Sequence, residues 1–178
     1  MNRLPAHRHV SLAPIVASIF LAAGALLAAP ASDAAPPTPV ASTEYFDLPA
    51  GTGCAFHLQI SGTDPKTHTQ TFYEGTGHPV RTVTAGDGYT ITYTNVDNGK
   101  SLTVASTGSV QTFVPHPDGT ATLTLTGFNG LIMFPTDTPA GPSTTQYEGR
   151  VVAFIDAKGS GTLLSVSGKS SDICAALT

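Results

Sequence analysis

Histidines, carboxylates and two cysteines are the side chains of this sequence that could support catalysis or metal binding. The histidines beyond the N-terminal region are His57, His68, His78 and His116, and no two of them are neighbours in sequence. His78 and His116 each precede a proline in an expected loop, and we interpret all four as solvated surface residues rather than as bases or metal ligands. Most aspartates stand at turn signals, so no pair of carboxylates is marked out for glycosidase chemistry.

The familiar catalytic motifs are missing from the chain. It contains no Gly-x-Ser-x-Gly elbow, no His-Glu-x-x-His zinc motif, no phosphate-binding P-loop and no dinucleotide fingerprint. Neither cysteine has a second pair of ligands at zinc spacing. The sequence therefore predicts no catalytic residues, no metal site and no cofactor. An enzyme built from scattered histidines and acids is the least favoured interpretation.

The N-terminus has the layout of a secretory signal peptide. Arg3 and Arg8 precede an apolar stretch, and small residues then offer cleavage after Ala31 or Ala34. An uncleaved membrane anchor is the alternative, because the stretch is nearly long enough to span a bilayer. Two prolines in or next to the stretch, and the cleavage sites themselves, favour removal. We predict a signal peptide over residues 1–34, a Pro/Ala-rich linker over 35–43 and a single domain over 44–178, in a protein that is secreted or held in the cell envelope.

Cys54 and Cys174 are the only cysteines of the chain. Two thiols in an exported protein most often pair, so we predict a disulfide bond between them. The bridge would close a loop of roughly 120 residues, for which the chain-entropy model gives about 4–5 kcal/mol.

The charge distribution excludes several classes of partner. The formal net charge is −4 over 178 residues, and no Lys/Arg cluster or basic stripe is present. Nucleic acids and anionic membrane surfaces bind chiefly through clustered positive charge, so neither is expected as a partner. We also expect no membrane span once the signal peptide is removed, and the sequence leaves the oligomeric state open.

Alternation of apolar residues with threonine dominates the predicted domain. Tyr89, Ile91 and Tyr93 fall on one face of "YTITYTN", and Leu123 and Leu125 repeat the pattern in "TATLTLTGF". A period of two is typical of strands that are buried on one side. Turn signals such as Asn-Gly and Asp-Gly separate these segments, and helical periodicity is limited to one turn around "SDICAAL". The sequence predicts an all-β domain, an antiparallel meander of about eight to nine strands.

The predicted disulfide bond bears on how such a meander ends. It joins the first strand to a segment just past the last strand, and adjacent terminal strands are what closure of an up-and-down barrel produces. A barrel also removes the exposed edges that open sheets leave. We therefore expect a barrel-like fold, with a two-sheet β-sandwich as the alternative.

Residues 127–150, "GFNGLIMFPTDTPAGPSTTQYEGR", differ in composition from the rest of the domain. The run "LIMF" is apolar on both faces, and Pro135, Pro139 and Pro142 stiffen the loop that follows. The loop could plug the end of the fold through Phe134 and Tyr147, or it could form the lip of a binding site. The residues predicted to bind a ligand here are Phe128, Met133, Phe134, Tyr147 and Arg150. Arg150 is also expected to pair with Glu148 or with an acid on a neighbouring strand.

The same region carries a resemblance to known proteins. The stretch from Phe134 to Pro142, the Tyr-x-Gly-Arg motif from Tyr147 to Arg150 and the terminal "DICAAL" resemble a group of small exported β-rich proteins of actinobacterial type. The resemblance covers most of the domain. It implies export and a β-rich fold, and it implies no activity and no catalytic residues.

Three functions follow from these observations. The favoured one is an exported non-enzymatic protein that binds a small apolar molecule in or at the mouth of the fold. The alternative is a cell-envelope interaction or structural protein, tethered by its linker to a protein or glycan partner. The enzyme named above is the third. An internal cavity would favour the first, a filled interior the second, and a polar cleft that gathers histidines and carboxylates the third.

Overall fold

The structure, a computed structural model, describes residues 44–63, 65–75 and 77–178. The predicted signal peptide, residues 1–34, and the predicted linker, residues 35–43, lie outside these residues.

Ten strands and one short helix make up the described part of the chain. They are β1 (Glu44–Leu48), β2 (Leu58–Thr63), β3 (Lys66–Glu74), β4 (His78–Asp87), β5 (Thr90–Asn95), β6 (Ser101–Ala105), β7 (Ser109–Pro115), β8 (Ala121–Met133), β9 (Ser143–Ile155), β10 (Gly161–Asp172) and α1 (Ile173–Ala176). Four strands form a small sheet in the order β1-β2-β5-β6, and six form a large sheet in the order β10-β9-β8-β7-β4-β3. All of the strand pairings are antiparallel.

The prediction of an antiparallel all-β fold is confirmed, but the expected barrel is not what the strands form. Within the described residues β1 pairs only with β2, and β10 only with β9, so the two sheets do not close on each other. The arrangement fits the β-sandwich alternative better. It is also not a simple meander, because the connections β2–β3, β4–β5 and β6–β7 each pass from one sheet to the other.

The disulfide bond explains why the barrel prediction was attractive and why it was wrong. Cys54 and Cys174 are bonded, with their Cα atoms 5.5 Å apart, as predicted. Cys54 lies in the loop between β1 and β2, however, and Cys174 lies in α1. The ends of the domain therefore meet through a loop and a helix, and no ladder of hydrogen bonds joins the first strand to the last. A disulfide bond is consistent with an extracellular location.

The threonines that alternate with apolar residues pair across the strands. Thr92 and Thr103 share a hydrogen bond between their hydroxyl oxygens of 2.9 Å, on β5 and β6. Thr69 and Thr84 do the same at 2.9 Å on β3 and β4. Cross-strand Thr–Thr contacts of this kind stabilise a sheet modestly, by about 0.2–1 kcal/mol each. The alternating threonines therefore stabilise the pairing of strands within each sheet.

A line of glycines crosses the three longest strands. Gly127 of β8, Gly149 of β9 and Gly168 of β10 are aligned in register, and all three have positive φ. At Gly149, where φ is +155°, a Cβ atom would also collide with the carbonyl oxygen of Ser167 on the neighbouring strand. Glycine is the residue that tolerates both conditions. The buried residues of β9 are Thr144, Gln146 and Tyr147 before this line and Val151 and Ala153 beyond it.

The C-terminal helix lies beside β9 and packs into the main hydrophobic cluster. Ile173 and Leu177 are fully buried and pack with Leu58, Ile60 and Tyr93 in the main hydrophobic cluster. The side chain of Asp172 caps the helix by accepting a hydrogen bond from the Ala175 backbone N–H at 3.0 Å. Asn95 and Asn98 both donate to the Leu177 carbonyl oxygen, at 3.0 and 2.9 Å. The helix, the disulfide bond and these two amides together hold the chain end against β5.

Candidate functional site

A cavity of about 210 Å³ lies between the two sheets. The small sheet contributes Phe46, Ile60, Ile91 and Tyr93 to its wall, from β1, β2 and β5. Ile91 and Tyr93 belong to the face that the alternation in "YTITYTN" predicts to be apolar. The inward face of the small sheet is therefore not filled completely by the side chains that it meets.

The large sheet forms the opposite wall with aliphatic side chains. They are Leu123, Leu125 and Leu131 from β8 and Ala153 and Ile155 from β9. Ala153 is 4% exposed, and its methyl group leaves a gap that a larger residue would occupy. Leu125 and Leu131 also pack in the second hydrophobic cluster, with Tyr147 and Val151. Apolar lining with few polar groups is the usual character of a small-molecule site.

The proline-rich loop between β8 and β9 reaches the same cavity through Phe134 and Asp137. Asp137 is buried, and its two carboxylate oxygens accept from the backbone N–H groups of Phe134 at 2.6 Å and Gly161 at 2.7 Å. The loop is further tied to the start of β10 by Thr138, whose N–H donates to the Gly161 carbonyl oxygen at 2.8 Å. The loop is thus braced against the β9–β10 hairpin, and Phe134 is held at the cavity.

Tyr93, which lines the cavity, makes a polar contact between the two sheets. Tyr93 crosses from the small sheet, and its hydroxyl oxygen lies 3.2 Å from Oε1 of Gln146 on the large sheet. Gly130, the register partner of Gln146, leaves room for this hydroxyl, since a Cβ atom there would lie 2.5 Å from the oxygen. Burial raises the pKa of Tyr93 to about 12, so the phenol keeps its proton at physiological pH. Gln146 is 7% exposed, and its Nε2 atom is buried without a hydrogen-bond partner in the described part of the protein.

Of the five residues predicted from the sequence to bind a ligand, two line the cavity and three do not. Met133, which is buried, and Phe134, which is half-buried, line the cavity. Phe128, Tyr147 and Arg150 are not among its lining residues. Tyr147 packs in the second hydrophobic cluster, and Arg150 is exposed between Thr126 and Ser167. The expected pairing of Glu148 with Arg150 is wrong: Glu148 pairs with Lys169, its register partner on β10, at 3.8 Å.

The histidines remain separate from one another in the fold. Nε2 of His57 lies 2.6 Å from a carboxylate oxygen of Asp47, on the surface of the small sheet. His116 shares hydrogen bonds with Thr120 and Thr122 at the β7–β8 turn, while His68 and His78 are exposed on β3 and β4. No group of three His, Cys, Asp or Glu side chains that could hold a metal ion occurs in residues 44–63, 65–75 and 77–178. The carboxylates with displaced pKa values belong to this surface pair and to turns.

Hydrogen bonds to three exposed aspartates lower their pKa values. The His57 side chain lowers the pKa of Asp47 below its ordinary value, opposed by partial desolvation. The pKa of Asp118 is lowered chiefly by the Thr120 hydroxyl and backbone N–H, and the pKa of Asp156 chiefly by the Ser160 backbone N–H. In both turns the aspartate accepts from backbone groups that follow it, which is the geometry of an Asx turn. These carboxylates stabilise turns, and none of them lines the cavity.

Several residues of the site were outside the sequence prediction. Tyr93 and Ala153 line the cavity, and nothing in their local sequence pattern distinguishes a cavity wall from filled core. The one signal was the departure from alternation at "LIMF", which did lead to Met133 and Phe134. The facing residues come from β1, β2 and β5, far away in sequence.

Comparison with models of protein families, with curated proteins and with solved structures found no match for this chain. The described residues also contain no helix that is long and apolar enough to cross a membrane.

Proposed function

We propose that this protein is an exported binding protein that holds a small apolar molecule in the cavity between its two sheets. The observation that carries the proposal is the cavity itself, about 210 Å³ in volume and walled largely by aliphatic and aromatic side chains. Burial of a ligand's apolar surface there contributes about 25 cal/mol per Å² before the costs of association.

The volume restricts the size of the ligand. A dry apolar cavity of about 150 Å³ is enough to bind benzene, whereas sites for drug-sized molecules measure about 300–1,000 Å³. A cavity of about 210 Å³ suits a single substituted ring or a short branched chain. Sterols and long acyl chains exceed it.

The test is a titration of purified protein, residues 44–178, with benzene, toluene and isopropylbenzene, followed by calorimetry and by thermal unfolding. Binding to the native state raises the melting temperature as the ligand concentration rises above Kd. Ala153→Leu fills the cavity from β9 and is expected to abolish binding of all three compounds without lowering the free energy of unfolding.

Ala121→Leu is the matched control. Ala121 is buried to nearly the same extent as Ala153, at 5% against 4% exposed, but it does not line the cavity. The larger side chain is overpacked there, so the variant should lose about 1–3 kcal/mol of stability and still bind the ligands. If none of the compounds binds the parent protein, the proposal fails. The predicted alternative, a cell-envelope interaction protein, would then account better for the exposed aromatic side chains of Tyr45 and Tyr73.

A further inference from the structure

Asp137 is the one charged residue among those that the structure describes in the wall of the cavity. Its side chain is buried, with 8% of the residue exposed. Both of its oxygens accept hydrogen bonds, from the backbone N–H groups of Phe134 and Gly161, as an ionised carboxylate does. A carboxylate has about four acceptor positions, so these two bonds leave it able to accept from a further donor.

This buried carboxylate has no cationic side chain beside it in the described part of the chain. The ion pairs there join Asp47 to His57 and Glu148 to Lys169. The described wall of the cavity contains no Lys, Arg or His. Since buried charges in proteins are ordinarily paired, the charge of Asp137 is left for a ligand to balance.

Gly161 leaves space next to the carboxylate. It is the first residue of β10, and it lines the cavity together with Asp137. A Cβ atom at Gly161 would have three carboxyl atoms of Asp137 as its nearest neighbours, at 3.5–3.8 Å. Because both residues line the cavity, the missing side chain provides a place where a ligand group can approach the carboxylate.

A protonated amine is the ligand group that this carboxylate favours most. An ammonium group loses hydration when it binds, but the carboxylate has already lost most of its own on folding, so binding incurs one desolvation cost rather than two. Hydrogen bonds between charged partners are also about twice as strong as those between neutral ones. An anionic ligand would meet a like charge with no cation to compensate for it.

Building on the function proposed above, we propose that the ligand is a small primary amine, whose apolar body fills the cavity and whose ammonium group binds the carboxylate of Asp137. The volume of about 210 Å³ limits the apolar body to a single ring or a short branched chain.

The experiment compares benzylamine, benzyl alcohol and ethylbenzene, which share one shape and differ in an ammonium, hydroxyl or methyl group at the same position. Dissociation constants are measured by calorimetry at about pH 7, where primary amines of this kind are protonated. The proteins are the parent, Asp137→Asn and Asp156→Asn. Asp156 is the matched control, because it also accepts from two backbone N–H groups but does not line the cavity.

We expect benzylamine to bind the parent protein at least about tenfold more tightly than either neutral compound. Asp137→Asn should weaken benzylamine binding at least about tenfold, the effect of losing a hydrogen bond to a charged group, and leave ethylbenzene binding within about threefold. Asp156→Asn should change neither constant by more than about twofold.

Gly161→Ala is the second variant, and it keeps the proposal testable if Asp137→Asn does not fold. It leaves the carboxylate and its two hydrogen bonds in place and puts a methyl group against the carboxyl oxygens at ordinary contact distance. It should weaken benzylamine binding at least about fivefold more than it weakens ethylbenzene binding, because the methyl group occupies the approach of the ammonium group.

The two proposals fail in different ways. If the neutral compounds bind but benzylamine binds no more tightly than they do, the amine class is wrong and the apolar binding function stands. The same conclusion follows if Asp137→Asn lowers the melting temperature but leaves the benzylamine constant within about twofold, since Asp137 would then only brace the loop. If neither these compounds nor the wider apolar series binds the parent protein, the binding function itself is wrong, and the ligand class is wrong with it.

Discussion

At the scale of single residues, several aspartates of this protein hydrogen-bond to backbone N–H groups near them. Asp137 illustrates this, because one buried carboxylate accepts from the N–H groups of Phe134 and Gly161 and so connects two loops that are distant in sequence. Asp118 and Asp156 accept from backbone groups within their own turns. The pair of Asp47 and His57 differs, because it joins two side chains, one on β1 and one just before β2.

We predict that His57→Ala raises the pKa of Asp47 back toward its ordinary value of 3.8, because the hydrogen bond from His57 is the main cause of its lowered pKa. A carboxyl group whose pKa is lower in the folded than in the unfolded state stabilises the fold above its unfolded pKa. That contribution is lost as the pH falls through the folded pKa, so the pair matters above about pH 4 and is lost in more acidic solution. The measurement is an NMR titration of the Asp47 carboxyl carbon.

Asp156 provides the internal control for this titration. Its pKa is lowered chiefly by the Ser160 backbone N–H, so His57→Ala should leave it unchanged. An Asp47 pKa that is the same in the variant and the parent protein would contradict the assignment of the shift to His57.

At the level of elements, the glycine line across β8, β9 and β10 divides each of these strands into two parts. Both parts of β9 contribute residues to the cavity. Before the line, Thr144 of β9 lines the cavity and donates to the Gly53 carbonyl oxygen at 2.8 Å. Beyond it, Ala153 and Ile155 of the same strand line the cavity together with Leu123 of β8. Glycines with positive φ at matched positions allow neighbouring strands to change direction together without breaking their ladder.

We predict that Gly149→Ala lowers the free energy of unfolding by about 2–4 kcal/mol, from backbone strain at positive φ together with displacement of the adjacent strand. Chemical denaturation measures the effect. Gly51→Ala is the control, because Gly51 also has positive φ, at +84°, but a Cβ atom there meets nothing within 4 Å. The control should lose only the strain contribution, about 1 kcal/mol. Equal losses at the two positions would show that the close approach to Ser167 is unimportant.

For the whole molecule, the disulfide bond is the covalent link between the two ends of the fold. Cys54 is completely buried in the main hydrophobic cluster, and Cys174 belongs to α1, which packs into the same cluster. The bond spans 120 residues of sequence, so opening it frees nearly the entire described chain in the unfolded state.

We predict that reduction of the parent protein lowers its free energy of unfolding by about 4–5 kcal/mol, the value of the chain-entropy model for a loop of this length. Thermal unfolding with and without a thiol-free reductant measures it. The double variant Cys54→Ala, Cys174→Ala should unfold identically in both conditions, which controls for effects of the reductant itself. Thiols that react freely with an alkylating agent in the native protein would refute the bridge.

Much of the secondary structure follows from sequence, and the architecture does not. Alternation around Ile91 and Tyr93 predicts β5 because a strand's period of two is a local property. The helical turn in "SDICAAL" and the disulfide bond were predicted correctly for the same kind of reason, since one is local and the other is the only pairing that two cysteines allow. The barrel was wrong because β2 pairs with β5, and β4 with β7, across segments that lie in the other sheet.

The candidate site shows the same division. Met133 and Phe134 were predicted from a local departure from alternation, and both line the cavity. Tyr147 and Arg150 shared the unusual composition but lie elsewhere, because position along a strand does not reveal which face meets the opposite sheet beyond a glycine line. The sequence by itself determined that the domain is built of antiparallel strands and is cross-linked by one disulfide bond. Only the tertiary structure decided that these strands form two sheets, with a cavity where Ile60, Ile91, Leu123 and Ala153 meet, because an unfilled volume depends on how side chains from distant strands fit together.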